Sequence, residues 1–281
     1  DPRQEKIDLG VGVYKDAHGN TPIMRSIKKA ESHLWKTEST KTYTSMTGDS
    51  GFHNAMADLV LADSVDRDRL SFCATPGGTG AIHHVLELVK LTGSNPKIWF
   101  SDPTWGNHLT IAKHLKMTVG KYSYFNNETR AVNFEAMVSD LSKISNGDIV
   151  VLHGCCHNPT GANLNNEQWN IIADLLLEKD AIPFIDIAYQ GFGEGIEEDA
   201  FGTRLLASKF PEMFIAASCS KNFGIYRERC GIVITVSKNP DISSITQGNL
   251  SYVNRQNFSF PPDHGARLVT MVLTDPDLRA D

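Results

Sequence analysis

Hydrophobic positions along the chain fall into two alternating kinds of run. Short β-branched or aromatic stretches stand at 97–101 (KIWFS), 148–152 (DIVVL), 182–187 (IPFIDI), 213–217 (MFIAA) and 231–236 (GIVITV). Each is apolar at consecutive positions, the pattern of a strand covered on both faces. Between them lie longer stretches with a helical repeat. In 80–91 the repeat is carried by Ile82, Val85, Leu86 and Val89, and in 166–179 by Trp169, Ile172, Ala173 and Leu176. Strands alternating with helices predict an α/β fold with a largely parallel sheet. Such sheets bind ligands beyond the carboxyl ends of their strands. The polar clusters of this chain fall there: Ser101-Asp102-Pro103-Thr104-Trp105, then 153–161, 186–189 and 218–221.

Composition narrows the reading. The 281 residues are 41% hydrophobic and 21% charged, enough to bury a sizeable core. A net charge of −6 speaks against non-specific binding to nucleic acid or to an anionic membrane surface. No apolar run reaches the roughly 18 residues of a membrane-spanning helix. The five cysteines, 73, 155, 156, 219 and 230, are odd in number and lack CxxC spacing, so no disulfide framework is expected and a reducing compartment is.

Four segments carry candidate chemistry. Thr75-Pro76-Gly77-Gly78-Thr79-Gly80 opens a helix expected to begin near Ala81. Glycines there expose backbone N–H groups, and the helix dipole adds to the attraction for an anion; an ordinary glycine-rich turn fits equally well. It is not a Walker loop, since no Gly-Lys-Ser/Thr follows. Ser218-Cys219-Ser220-Lys221 ends a strand, with Arg229 a little further on. A desolvated lysine there is an amine nucleophile toward a carbonyl, and the hydroxyls with Arg229 suit a phosphate. The same residues match the S-x-x-K of penicillin-recognising enzymes, but neither S-D-N nor K-T-G accompanies them. Asp186 closes an apolar strand, where a carboxylate needs a partner; it reads as a loop cap or as the counter-ion of a buried cation, with Tyr189 in reach of the same ligand. His153, Cys155, Cys156 and His157 look like metal ligands, but their spacing is too tight for a tetrahedral zinc site, and no metal is expected. Asn158-Pro159-Thr160-Gly161 reads instead as a rigid turn that presents Asn158.

Taken in order, these segments resemble class I aspartate and aromatic-amino-acid aminotransferases, of the fold-type I pyridoxal-phosphate superfamily. The matching stretches include Leu9-Gly10-Val11-Gly12-Val13-Tyr14-Lys15-Asp16, Pro76-Gly77-Gly78-Thr79-Gly80 and Trp105 with Asn107-His108. They continue through His157-Asn158-Pro159-Thr160-Gly161, Asp186-x-x-Tyr189-Gln190-Gly191-Phe192 and Ser218-x-Ser220-Lys221-Asn222-Phe223-Gly224 to Arg255-x-Asn257-x-Ser259-x-Pro261-Pro262. The resemblance implies a three-layer αβα domain with a mostly parallel seven-stranded sheet, binding pyridoxal 5'-phosphate. It implies that Lys221 holds the cofactor covalently and shuttles a proton, and that Asp186, supported by His108, pairs with the pyridinium nitrogen. Asn158 and Tyr189 would bond the ring oxygen and Trp105 would stack on the ring. Gly78, Thr79, Ser218, Ser220 and Arg229 would hold the phosphate, with Tyr43 of a second subunit. Gly12 would lie against the substrate, beside Trp105 and Asn158. Arg255, again from the second subunit, would meet a distal carboxylate. Cis peptides before Pro103 and Pro159 are implied as well.

The family also has an N-terminal arm, and an arginine nearer its C-terminus that clamps the substrate α-carboxylate. Neither has a counterpart in these 281 residues, so the chain reads as the cofactor-binding large domain of a longer protein. The expected reaction is transamination between an amino acid and a 2-oxo acid such as 2-oxoglutarate. The enzyme would be a cytoplasmic homodimer, organellar targeting being left open, with no nucleic-acid or membrane partner. Arg255 favours aspartate aminotransferase; an aromatic (tyrosine) aminotransferase is the alternative, and a non-catalytic regulatory module on the same fold the remote one.

Overall fold

The computed structural model describes Pro2, Arg3, Glu5, Gly10 and residues 12–281; Leu9 and Val11 of the first motif lie outside the described residues. The chain enters through α1 (Arg25–Thr37) and α2 (Ser50–Leu61), then forms β1 (Leu70–Pro76), α3 (Gly77–Leu91), β2 (Lys97–Asp102), α4 (Gly106–His114) and β3 (Thr118–Ser123). A small hairpin, β4 (Phe125–Asn126) and β5 (Ala131–Val132), leads to α5 (Phe134–Leu141), β6 (Ile149–His153), α6 (Asn166–Glu178) and β7 (Ile182–Ile187). After these come α7 (Phe201–Lys209), β8 (Met213–Ser218), β9 (Cys230–Val236), α8 (Pro240–Asn257), α9 (His264–Thr274) and α10 (Pro276–Ala280).

Seven strands pair in the order β1-β9-β8-β7-β6-β2-β3. Only β9 runs against its neighbours β1 and β8; the other pairings are parallel. Side chains alternate across a strand, and the two faces of this sheet feed two separate cores. Ile98 and Phe100 of β2, Val151 of β6, Phe184 of β7 and Val233 of β9 pack with Ile82, Val85 and Leu86 of α3, Ile111 of α4 and Leu250 of α8. Trp99, Val150, Leu152, Ile185, Ile215 and Ile234 face the other way, onto α1, α2, α5, α6, α7 and α9. Both faces are therefore covered, which is the three-layer αβα architecture.

The topology gathers one set of loops. Because β9 is antiparallel to both neighbours, the carboxyl ends of β1 and β8 share the edge at which β9 begins. Pro76 stands opposite Cys230, and Ser218 opposite Gly231. Gly231 admits no side chain, since a Cβ there would lie 2.5 Å from the carbonyl carbon of Gly77. The first turn of α3 is thereby pressed against the start of β9. One boundary differs from the expectation: α3 starts at Gly77, so the glycines form its first turn rather than precede it. Gly77, with φ 70°, makes the strand-to-helix turn.

Candidate active site

A cavity of about 360 Å³ opens at this carboxyl edge, and its lining includes Gly12, Gly78, Thr79, Trp105, Asn158, Asp186, Tyr189, Ser218, Ser220, Lys221, Tyr226 and Arg229. At one end are the first turn of α3 and the hydroxyls that follow β8. Arg229 joins them: its φ of 50° turns it back from β9, and its Nη1 donates to Ser220 Oγ at 3.2 Å and to the Tyr226 carbonyl at 3.0 Å. Asn107 Nδ2 donates to Thr79 Oγ1 at 3.4 Å. Helix N–H groups, three hydroxyls and a guanidinium make this end a receptor for an anion.

The opposite end holds Asp186, beside His153 in the β6–β7 register. A chain of hydrogen bonds behind it has one direction only. The Asn158 backbone N–H donates to His153 Nδ1 at 3.2 Å, so the neutral ring carries its proton on Nε2. That proton goes to Thr104 Oγ1 at 3.2 Å. The Thr104 hydroxyl then donates to His108 Nδ1 at 2.8 Å, and His108 Nε2–H donates to Asp186 Oδ2 at 2.9 Å. Burial, then His157 and His108, hold the His153 pKa well below 6.5, so this ring stays neutral at physiological pH. The direction is set from both ends, since a backbone N–H can only donate and a carboxylate oxygen accepts, which leaves each neutral ring one donor and one acceptor nitrogen. The outcome is a carboxylate given a fixed N–H donor from a fully buried imidazole.

Lys221 stands between the two ends. Its ammonium donates to the Gly12 carbonyl and lies 4.9 Å from the centre of the Tyr226 ring. Burial, and then the Arg229 charge, lower its pKa from the ordinary 10.5, which increases the share of free amine near neutrality. Burial chiefly, with Asp186 next, raises the pKa of Tyr189 and keeps its phenol a donor. The Trp105 ring meets His108 edge-on at 5.3 Å and 83°, which fixes its orientation beside the cavity. The peptides before Pro103 and Pro159 are both cis.

This geometry describes a nucleophilic amine between an anion receptor and a buttressed acid. The sequence profile of the family described as aminotransferase class I and II matches residues 4–281. The chain belongs to that family. It is similar to the aromatic-amino-acid aminotransferase of Paracoccus denitrificans, 53% identical over the whole chain and covering 71% of that protein. It is 39% identical to the aspartate aminotransferase of Haemophilus influenzae, over 99% of this chain and 70% of that one. A solved aromatic amino acid aminotransferase with 3-indolebutyric acid superposes with a TM-score of 0.97 at 53% identity, over all of this chain and 71% of the other. A second, from Burkholderia pseudomallei and covalently bound to pyridoxal phosphate, superposes at 0.96 with 36% identity, over 100% and 71%. The chain is accordingly an aminotransferase of the pyridoxal-phosphate-dependent kind, and the regulatory-module alternative falls.

The aminotransferase cavity fits that cofactor. Its volume suits a small aromatic ring, and donors for a phosphate, an acid and an amine all line it. A Cβ on Gly78 would come within 3.0 Å of Ser218 Cβ, so the cradle is open only because that residue is glycine.

Most of the expected site residues meet here, but two do not. Tyr43 is 78% exposed and stacks on Phe260 at 4.6 Å. Arg255 donates to Ser259 Oγ at 2.7 Å and lies 5.7 Å from the same Phe260 ring. Both are absent from the lining of the Lys221 cavity and are displayed together on the surface. Conversely, Thr104, His153 and Tyr226 belong to the site without having been assigned roles from the sequence. Thr104 and His153 lay within the polar clusters after β2 and β6. Tyr226 gave no signal, since nothing in its neighbourhood marks it as a cavity wall.

Proposed function

We propose that this aminotransferase moves the amino group of an aromatic amino acid to a 2-oxo acid, and that the cavity around Lys221 is its active site. The observation that carries the site is a single one. A lysine of lowered pKa stands between a closed set of anion donors and an acid whose hydrogen-bond donor is fixed. Bound there, pyridoxal phosphate supplies an aldehyde for the substrate amine and a protonated ring that withdraws electrons from the reacting carbon.

The remaining work falls to side chains of this chain. Ser218, Ser220, Thr79, Arg229 and the Gly78 N–H bind the phosphate and set the depth of the ring. Asp186 takes the positive ring nitrogen, and the hydrogen bond from His108 aims that carboxylate. Asn158 and Tyr189 donate to the ring oxygen, while Trp105 covers one face and excludes water. Lys221 Nζ is the base that takes the proton from the substrate Cα, its lowered pKa matching the task. Gly12, 3.7 Å from Lys221 Nζ as measured from the Cβ it lacks, leaves room for the substrate beside the amine.

Tyr43 and Arg255 act, in this reading, in the site of a second copy, which makes the enzyme a homodimer. The aromatic substrate follows the similarity to the Paracoccus enzyme. Aspartate, favoured by Arg255, is the second reading, supported also by the H. influenzae similarity. The expected outcome for Lys221→Ala is loss of transamination together with the absorbance band of the lysine-bound cofactor; normal turnover in that variant refutes the site. Comparing kcat/KM for phenylalanine, tyrosine and aspartate decides the substrate, and a clear preference for aspartate reinstates the second reading.

A further inference from the structure

Cys155, on the wall of the Lys221 cavity, belongs to a cluster of ligand atoms that has no part in this reaction. Cys155 Sγ, Cys156 Sγ and a carboxylate oxygen of Asp199 all lie within 4.8 Å of one another. Adjacent residues on an extended backbone point to opposite sides. Here Cys156 has a φ of 46°, a left-handed conformation unfavourable for a residue with a Cβ, and the turn sets both thiols toward the same acid. Asp199 is held firmly in place. Its Oδ2 accepts from the N–H groups of Gly191 and Gly193 at 2.8 and 2.9 Å, and its Oδ1 from that of Glu194 at 3.0 Å. Three donors keep the carboxylate oriented, and of its roughly four lone-pair sites one, on Oδ1, remains to bind a cation. Without an ion, the Cys156 neighbour first and burial next push the Cys155 thiol up, so it stays protonated until a cation takes the proton's place.

An approach path exists. Cys155 lines both the Lys221 cavity and a second one of about 420 Å³, whose lining includes Glu167, Glu194, Glu198 and Asp199. Acidic walls concentrate cations at its inner end. The histidines of the same stretch are already engaged: His153 with Thr104 and Asn158, and His157 with Ser101 and Thr160. The ligand set therefore differs from the four adjacent residues that the sequence offers, because its oxygen comes from a loop beyond β7.

We propose that Cys155, Cys156 and Asp199 form a binding site for a soft divalent cation of the zinc and cadmium type, entered through the acidic cavity. Thiolate ligands select such ions, and metal–sulfur bonds of about 2.3 Å put tetrahedral neighbours about 3.7 Å apart. The three atoms therefore need to close by no more than about an ångström, a shift within reach of thiol rotamer changes, with Cys156 only half-buried. Binding releases one proton from each thiol, and water takes the fourth position. The ion sits behind Tyr189 and the turn that presents Asn158, so its arrival lowers transamination.

The test is titration of the cofactor-loaded enzyme with Cd²⁺, followed by thiolate-to-cadmium absorbance in the ultraviolet, which is independent of turnover. One equivalent per chain is expected, with activity falling as the band grows and returning on chelation. Changes around a metal's ligands alone cost about 10–100-fold in affinity. Cys155→Ser and Cys156→Ser should each therefore cost at least about a hundredfold. Asp199→Asn, which keeps one acceptor for its loop, should cost about tenfold. Absence of the band, its persistence in the double serine variant, or an affinity unmoved by Asp199→Asn overturns the three-ligand site. Because Cys73, Cys219 and Cys230 remain in every variant, they serve as the internal control.

Discussion

Thr104→Val removes one hydroxyl from the middle of the chain that ends on Asp186 and leaves the shape of the side chain almost unchanged. Two hydrogen bonds go with it, at 2.8 Å to His108 Nδ1 and 3.2 Å to His153 Nε2. His108 is fully buried, so its Nδ1 is left without a partner, which costs about 1–3 kcal/mol. Losing the His153 bond adds about 1 kcal/mol. At about 2–4 °C per kcal/mol for a protein of this size, Tm falls by roughly 4–16 °C. Moving the imidazole proton to Nδ1 gives no relief, because that N–H meets the same valine and finds no acceptor; the ring loses its preferred tautomer all the same. With the proton on Nδ1 it turns a lone pair toward the Asp186 carboxylate and withdraws the N–H donor.

Either way the acid is less well held. Hydrogen bonds to charged groups are worth about 1.5–3 kcal/mol, so kcat/KM should fall about 10–100-fold. The assay is kcat/KM at saturating cofactor, with Tm and a pH titration of the bound cofactor's absorbance beside it. Thr104→Ser, which keeps the hydroxyl, should restore all three readouts toward wild type. If Thr104→Val left Tm, kcat/KM and the pH profile unchanged, the one-directional chain would have no functional content. If the serine and valine variants fell alike, the methyl group would be what matters.

Arg255→Asp should depress activity on aspartate far more than on phenylalanine, and equal losses on the two substrates count against a distal-carboxylate role. Gly77→Ala puts a Cβ 2.4 Å from Arg229 Nη2 at a φ of 70°, adding about 1–2 kcal/mol of left-handed strain and displacing the guanidinium. Calorimetry should show pyridoxal phosphate bound about tenfold more weakly, and unchanged affinity removes Arg229 from the phosphate end. Asp140, paired with Lys143 at 2.7 Å and accepting from Ser123 N–H and Oγ–H at 3.0 and 2.8 Å, has its pKa lowered from 3.8 to about 2, mainly by Lys143. A depressed acid adds stability above its unfolded pKa and loses it as pH falls through the folded one. Denaturation curves between pH 4 and 2 should therefore be flatter for Asp140→Asn than for wild type, and parallel curves refute the assignment.

How much of this was legible in the chain depends on how each feature is made. The five strands read from apolar runs, β2, β6, β7, β8 and β9, are the interior strands of the sheet. Each is covered by helices above and below and by strands on both sides, so consecutive apolar residues are required of it. The two that escaped, β1 and β3, are its edges. β3 (TVGKYS) buries only one of its six positions, so nothing forces its polar residues out. In β1 (LSFCATP) the buried polar Ser71 is satisfied by Ser243 of α8, a partner far away in sequence. The site divides along the same line. Lys221, Asp186, Asn158 and the hydroxyls of Ser218 and Ser220 follow strands directly, and strand ends in a parallel sheet announce themselves. Thr104 acquires its role only from His153, which arrives on another strand, and Asp199 acquires its own from backbone donors in its loop. Tyr43 and Arg255 do not line the Lys221 cavity and are exposed, so no property of one folded copy marks them; only the resemblance to related enzymes does. The residues least visible in the sequence are those whose chemistry is set by a neighbour, which is why the strongest tests substitute Thr104 and Asp199 rather than the lysine.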